Sequence, residues 1–399
     1  GELALLVVVL NGEGADEVMA VDTGLPSTVP QHHLHLALLL AAPSWATDRV
    51  ESEQASFRIE AVTEGLSHPW GMAFLPEGGY LVTERRGQLR YVDAEGALSP
   101  DAIAGLPTIR QHGQGGLLDV ALHPDFASNR LVYVSYAEAG DGGFGTSVAR
   151  GTWRDGRLDA VEVIFRMQPK TDGGRHFGSR LVFDRDGYLF ITLGDRGERP
   201  RAQALEDHIG TVVRLHDDGR IPTDNPFLGQ ADALPEIFSY DHRNIQGATL
   251  HPETGVLWTH EHGPQGGDEI NLPRAGVNHG WPVITYGVNY FTGTSIGEGT
   301  AKQGMAQPLY QWTPSIAPSG MAIYHGDAFP DWRGDLFVGS LKFRQLVRLE
   351  LDGERVVSEE RLLEDRLGRI RDVRVGPDGL LYLLIDADRG RLVRLVPAG

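Results

Sequence analysis

Leu181-Val182-Phe183-Asp184-Arg185-Asp186-Gly187-Tyr188-Leu189-Phe190-Ile191 reads as two short apolar strands joined by a reversal rich in Asp and Gly. Branched and aromatic residues favour strands, and Asp-Gly pairs favour tight turns. The pattern recurs along the chain. Upstream it is found at residues 71–76 with 80–83 and at 120–125 with 131–134. Downstream it returns at 248–252 with 255–258, at 321–324 with 334–338, and at 373–379 with 381–384. Third strands follow at 88–92, 212–215, 345–349 and 391–395. Period-2 alternation places one face of these strands inward. Six copies at roughly 50–75 residue intervals suit propeller blades with variable loops. The fold class expected is therefore all-β, a six-bladed β-propeller of four-stranded antiparallel blades. A solenoid is the structural rival, but the chain shows no capping repeat. Residues 56–62 offer the outer strand that would close the last blade into a ring.

Composition agrees with this architecture. Among 399 residues, 51 glycines and 23 prolines cut the chain into short pieces, and a repeat fold can use such a length as one domain. Acidic residues outnumber basic ones, 54 to 36, for a net charge of −18. This excludes a nucleic-acid surface, which needs clustered Lys and Arg to neutralise phosphates. Any basic cluster therefore needs a local reason. Cysteine is absent, so disulfides, thiolate metal sites and a cysteine nucleophile are excluded.

Residues 31–46 resemble a secretory signal, with a short apolar core at 35–42 followed by Ser44-Trp45-Ala46. A start at Val29 would make residues 1–28 translated upstream sequence, and cleavage after Ala46 would leave Thr47 first in the exported protein. The rival reading makes this run and the apolar run at 3–10 buried segments of the fold. Neither reaches the roughly 18 residues of a membrane span. The expected organisation is residues 1–46 as upstream and signal-like sequence, 47–56 as a linker and 57–399 as a single catalytic propeller in the periplasm or outside the cell.

Packing does not require polar residues just before an innermost strand, where blades converge. Yet Gln114, His176, Arg243 with Asn244, Ser315, and Arg369 with Arg371 occupy such places. Every blade after the first contributes one, and strands of a ring begin on the same face, so a shared pocket is expected.

These segments carry a resemblance. Gly113-Gln114-Gly115-Gly116-Leu117-Leu118 with His123-Pro124-Asp125-Phe126, His176-Phe177-Gly178-Ser179-Arg180, Gly194-Asp195 and His242-Arg243-Asn244 with Gln246-Gly247 form the first part. Glu261-His262-Gly263-Pro264 with Asp268-Glu269-Ile270-Asn271, and Ser340-Leu341-Lys342, complete it. In this order they resemble the soluble quinoprotein glucose and aldose sugar dehydrogenases over residues 57–397. The resemblance implies pyrroloquinoline quinone and calcium as cofactors, and aldose oxidation at C1 to the lactone by hydride transfer, with an acceptor that the sequence does not name.

It also implies roles. The quinone bears three carboxylates, for which Arg369, Arg371 and Lys342 supply cations, while Gln114, Arg243, Asn244 and Ser315 stand near the cofactor. Arg369 and Arg371 are two apart, hence on one side of a strand; without the family match they could be a solvated edge. Main-chain oxygens of Gly263 and Pro264 match those that hold the catalytic calcium, and hard oxygen donors suit that ion; the bland alternative is a metal-free turn. Glu269 and, where the family has tyrosine, His279 match a second, structural calcium region. His176 matches the general base and Asp195 the group that orients it. Arg175 replaces the aspartate of the glucose-selective branch, so the aldose branch, with its mono- and disaccharide substrates, is the closer likeness. Two other propeller functions share part of the pattern: a calcium-dependent lactonase, and a non-enzymatic module that binds glycans or proteins.

Overall fold

The structure is a computed structural model that describes residues 48–399. The signal-like segment and the apolar run before it lie outside the described residues. Six antiparallel sheets follow one another along the chain. The third is representative: Leu181–Phe183, Leu189–Thr192, Val212–Leu215 and Ile237–Ser239 pair in that order. Each sheet forms one blade, and its first strand is the innermost.

Four blades have the expected four strands; the first and last do not. In the first blade, Gln88–Val92 is the last strand, and residues 98–104 run beside it irregularly. Ser99 N–H donates to the Tyr91 carbonyl (2.9 Å) and Ile103 N–H to that of Leu89 (2.8 Å). Pro100 between them has no N–H to donate, so a full ladder cannot form. The last blade has five strands. Ser56–Leu66, from the opposite end of the described chain, pairs with Gly390–Pro397, and Val50–Glu51 pairs outside it. The stretch expected as a linker thus carries a paired strand, and the closing strand extends to Leu66.

Ring closure is visible in the core. Six apolar clusters each bridge one pair of neighbouring blades. The last and first blades meet through Leu66, Tyr382, Leu384 and Leu392 against Met72, Tyr80 and Val82. This packing also explains a departure from period-2 alternation. Tyr80–Glu84, Leu189–Thr192, Leu257–Glu261, Leu336–Ser340 and Leu381–Ile385 are buried at every position. A second strand lies between two neighbouring blades, so both its faces are covered. Outer strands such as Ser56–Leu66 keep a mixed pattern.

At the ring's centre the core is ionic. Arg180, at the start of the third blade, donates from Nε to the Gln246 carbonyl (2.7 Å) and from Nη2 to the Arg371 carbonyl (3.1 Å). Its Nη1 is 3.1 Å from Asp372 and 3.4 Å from Asp119, and its guanidinium lies 4.2 Å over the Trp70 ring. One side chain therefore joins five blades. Arg374 bridges the same two aspartates at 2.9 Å each. Removing one partner from such a buried network leaves charge uncompensated. Arg180→Met is expected to lower the unfolding free energy by about 3 kcal/mol, measured as an earlier midpoint in urea; an unchanged midpoint would deny Arg180 this role.

Candidate active site

Antiparallel pairing brings two sets of loops to one end of the blades: those entering each innermost strand and those joining its second and third strands. Between them lies a cavity of about 910 Å³. Of the sequence-predicted residues, Gln114, Asn244, Gly263, Pro264, Ser315, Lys342, Arg369 and Arg371 line it. His176, Asp195 and Arg243 do not line it, but His176 bonds Gln114, Arg243 bonds Gly263, and Asp195 holds His176. Glu269 and His279 lie behind the Gly263 turn, around a separate void of about 10 Å³.

Five cationic side chains and no carboxylate line the cavity, in a chain of net charge −18. The cations are Arg85, Lys342, Arg344, Arg369 and Arg371. Among the described residues, no carboxylate is within ion-pair distance of Lys342 Nζ or Arg85, and the buried Arg85 Nε has no hydrogen-bond partner. Arg371 is held from behind. Its Nη2 and Nε reach Asp386 at 2.6 and 3.2 Å, and Nη1 donates to Gln246 (3.3 Å). Asp386 also meets His68 at 2.8 Å and lies 3.8 Å from Arg369 Nε. Burial alone would raise the Asp386 pKa, but Arg371 and His68 hold it down at about 2. The cavity thus suits a polyanion.

Sequence reasoning placed no site residue on the first blade, yet Trp70 and Arg85 come from it. Arg85 follows the second strand, Tyr80–Glu84. Polar residues stand out against packing only just before innermost strands, whereas a charge after a second strand, like Arg85, is ordinary in a hairpin loop. The loops after second strands return to the same end and also carry Asp195, Lys342 and Asp386.

His176 has left-handed backbone geometry (φ 57°), which costs a residue with a Cβ. Its surroundings hold it there. His176 N–H donates to Gln114 Oε1 (2.9 Å). Arg196 donates to the carbonyls of Gly173 and Arg175 and lies 3.5 Å over the Phe177 ring. A Cβ on Gly194 would fall 2.0 Å from the His176 carbonyl oxygen, so only glycine lets the strands approach here.

The His176 ring is 12% exposed, and its Nδ1 is 2.5 Å from Asp195 Oδ1. Gly197 N–H donates to the same oxygen (2.8 Å), and Trp281 Nε1–H to Oδ2 (2.8 Å). The carboxylate therefore fixes the tautomer with the proton on Nδ1, leaving Nε2 as the acceptor. Burial pushes the His176 pKa down, with a further push from Arg243, against the opposing pull of Asp195. Burial opposes ionisation of Asp195, yet the His176 hydrogen bond leads the effects that hold its carboxyl below the ordinary value.

Arg243 donates from Nη1 to the carbonyls of His262 (3.0 Å) and Gly263 (2.7 Å). Asp268 fixes the same turn by accepting from Gly263 N–H (2.8 Å), Ser315 Oγ (2.8 Å) and Ile316 N–H (2.7 Å). Asp268 is consumed by these donors and shapes the turn. Gly263 and Pro264 present neutral carbonyl oxygens, a hard donor set that fits calcium. The Gly263 oxygen keeps a second lone pair beside its bond from Arg243.

Behind this turn, burial, with a smaller push from the Asp195 charge, raises Glu261 to about 8, and burial together with Glu261 pushes Glu269 well above its ordinary value. His242 donates or accepts at 3.1 Å to Glu261 and stacks on His279 at 4.5 Å. Both His279 ring nitrogens lack partners. Among the described residues no three metal-ligating side chains converge.

The chain is similar to known proteins over most of its length. A family model described as Glucose / Sorbosone dehydrogenase matches residues 66–394. The aldose sugar dehydrogenase YliI of Escherichia coli K12 is 46% identical over 366 residues, covering 90% of this chain and 96% of the relative. A crystal structure of a glucose dehydrogenase is 52% identical with a TM-score of 0.83, covering 86% of this chain and 99% of the other. The PQQ-bound form of an aldose sugar dehydrogenase from Streptomyces coelicolor is 28% identical with a TM-score of 0.70, covering 86% and 99%.

In nitrogen NMR the His176 ring is expected to titrate below the reference 6.5. Asp195→Asn is expected to lower it further, because the substitution removes the carboxylate that favours the charged ring. A value above 6.5 in the parent would contradict this account of the pair.

Proposed function

We propose, from the premise that this chain belongs to the Glucose / Sorbosone dehydrogenase family and is a quinoprotein sugar oxidoreductase, that it oxidises aldoses at C1 to lactones with His176 as general base. The observation that carries this reading is the His176 ring oriented by the Asp195 carboxylate next to a cavity lined by five cations and no carboxylate. Pyrroloquinoline quinone supplies, when bound, the two-electron acceptor for the hydride that leaves C1.

The chain's own residues do the rest. His176 Nε2 takes the proton of the anomeric hydroxyl while C1 loses its hydride, so the C1–O bond becomes the lactone carbonyl. Asp195 steadies the ring and favours the imidazolium that forms. Burial, helped by the Arg243 charge, keeps His176 unprotonated before the reaction, and Arg243 would stabilise negative charge developing on the sugar oxygen. Arg369, Arg371, Lys342 and Arg85 would hold the cofactor's carboxylates. Gln114, Asn244 and Ser315 would orient it through hydrogen bonds.

Gly263 and Pro264 are the residues we assign to a calcium ion, which would polarise the reacting carbonyl. The two main-chain oxygens would hold this ion, with no carboxylate of the protein lining the cavity to add to them. Glu269, which lines the same small void as Glu261 and His279, is the place we assign to a second, structural cation. The signal-like segment supports export to the periplasm.

Titration of the cofactor-free protein tests this reading. Dye reduction by glucose, xylose or maltose should need both quinone and calcium, and chelation should abolish it. His176→Gln should still bind quinone, followed by its absorbance, while kcat falls about a hundredfold to ten-thousandfold. Parent-like turnover by that variant would remove His176 as the base. Lactone hydrolysis without an acceptor would point to the lactonase reading instead.

A further inference from the structure

Four large apolar side chains are well exposed among the described residues, and two of them, Tyr290 and Phe291, are adjacent at the cavity mouth. Phe291 is fully exposed at 104%, and its backbone is left-handed (φ 66°), an uncommon state for a bulky residue. An exposed aromatic gains nothing from burial, so its presentation on strained backbone calls for a binding role.

The tip is built rigidly. Val288 pairs with Gln265 in both directions, at 3.0 and 3.1 Å, which ties the hairpin to the Gly263–Pro264 turn. Val288 also bridges to Ser295, Asn289 N–H donates to the Thr294 carbonyl (2.9 Å), and Gly293 N–H donates to that of Asn289 (3.0 Å). From the base side, Arg199 Nη1 donates to Asn289 Oδ1 (2.7 Å) and its guanidinium lies 5.6 Å from the Trp281 ring that bonds Asp195. The aromatic pair is therefore held on the same framework as the catalytic histidine.

The cavity is divided by charge. Its five cations come from the first, fifth and sixth blades, whereas the lining from His262 to Ala317 contains no Lys, Arg, Asp or Glu. The uncharged wall, which includes Val288, Tyr290, Thr313 and Ser315, suits a neutral ligand. At about 910 Å³ the space is near the upper end of the roughly 300–1,000 Å³ typical of single-ligand pockets, so it has room for a sugar beside a cofactor. Two aromatic side chains match one pyranose ring in extent and fall far short of a protein interface of about 1,000 Å².

We propose that Tyr290 and Phe291 form a sugar-binding lip that takes the second ring of a disaccharide whose reducing end is oxidised at His176. Tyr290 walls the cavity, and the exposed Phe291 ring lies next to it, with centroids 6.4 Å apart and the planes inclined at 51°. The apolar CH face of the ring would lie on the aromatics, with its hydroxyls toward water and toward Thr292 and Thr294. This rests on the sugar-oxidising reading above.

The test compares Phe291→Ala with the parent on glucose and maltose, using enzyme loaded with quinone and calcium. The variant should keep kcat/KM for glucose within about twofold and lose about tenfold or more for maltose, chiefly in KM. Phe291→Trp should restore maltose. Saturation-transfer NMR of maltose with the cofactor-free protein should show contact with the non-reducing ring in the parent and lose it in Phe291→Ala. Equal losses on both sugars, no loss on either, or a change confined to the KM of the electron acceptor would each overturn the lip. A parent that oxidises glucose but not maltose would also overturn it. A parent that oxidises neither sugar would instead overturn the reading on which the lip rests.

Discussion

A guanidinium buried on the ring axis is the constraint from which the rest of this structure follows. Arg180 spends its donors on two main-chain carbonyls and two aspartates from other blades. Those carbonyls belong to Gln246 and Arg371, whose side chains line the cavity. The contact that centres the blades therefore also sets where two cavity walls begin. An apolar axis could close the ring, but it would not specify the height of one blade against another, because apolar contacts lack direction. A guanidinium with fixed donor geometry can do so.

The same device recurs at the site. Asp195, Asp268 and Asp386 each engage both carboxylate oxygens, one of them with a group of the site, His176, Ser315 or Arg371, while none of the three lines the cavity. Each thus orients a functional group without adding a negative charge where a polyanionic cofactor must enter. The buried groups behind the Gly263 turn follow a related rule. Burial pushes His242 down to about 3, and Asp241 and Glu261 up to about 8, so desolvation favours their neutral forms. A protein with a large net negative charge in this way keeps a positive chamber at one end.

Much of this was legible in the chain because strand signals are local. Each apolar pair with its Asp-Gly or Pro-rich turn can be recognised within a dozen residues, and six repetitions specify the architecture. The cofactor-facing residues were legible for a related reason: polar side chains before innermost strands break a pattern that packing alone would keep. The resemblance then supplied their roles and added Gly263, Pro264, Lys342 and Asp195; the structure puts eight of the combined set around one cavity, with His176, Arg243 and Asp195 bonded next to it.

What could not be read is what depends on pairs distant in sequence. Arg85 lies in a hairpin loop that only the closed ring brings to the same cavity as Arg371, 286 positions away by numbering. Asp386 gave no sign that it would hold Arg371 and His68, and residues 50–51 gave none that they would pair with the closing strand. The sequence by itself determined strand periodicity, the number of blades and the candidate chemistry, because these are carried by residues near one another in the chain. Only the tertiary structure decided the charge division of the cavity, the partners of its cations and the aromatic lip, because ring closure joins loops from every blade and no local pattern encodes that meeting.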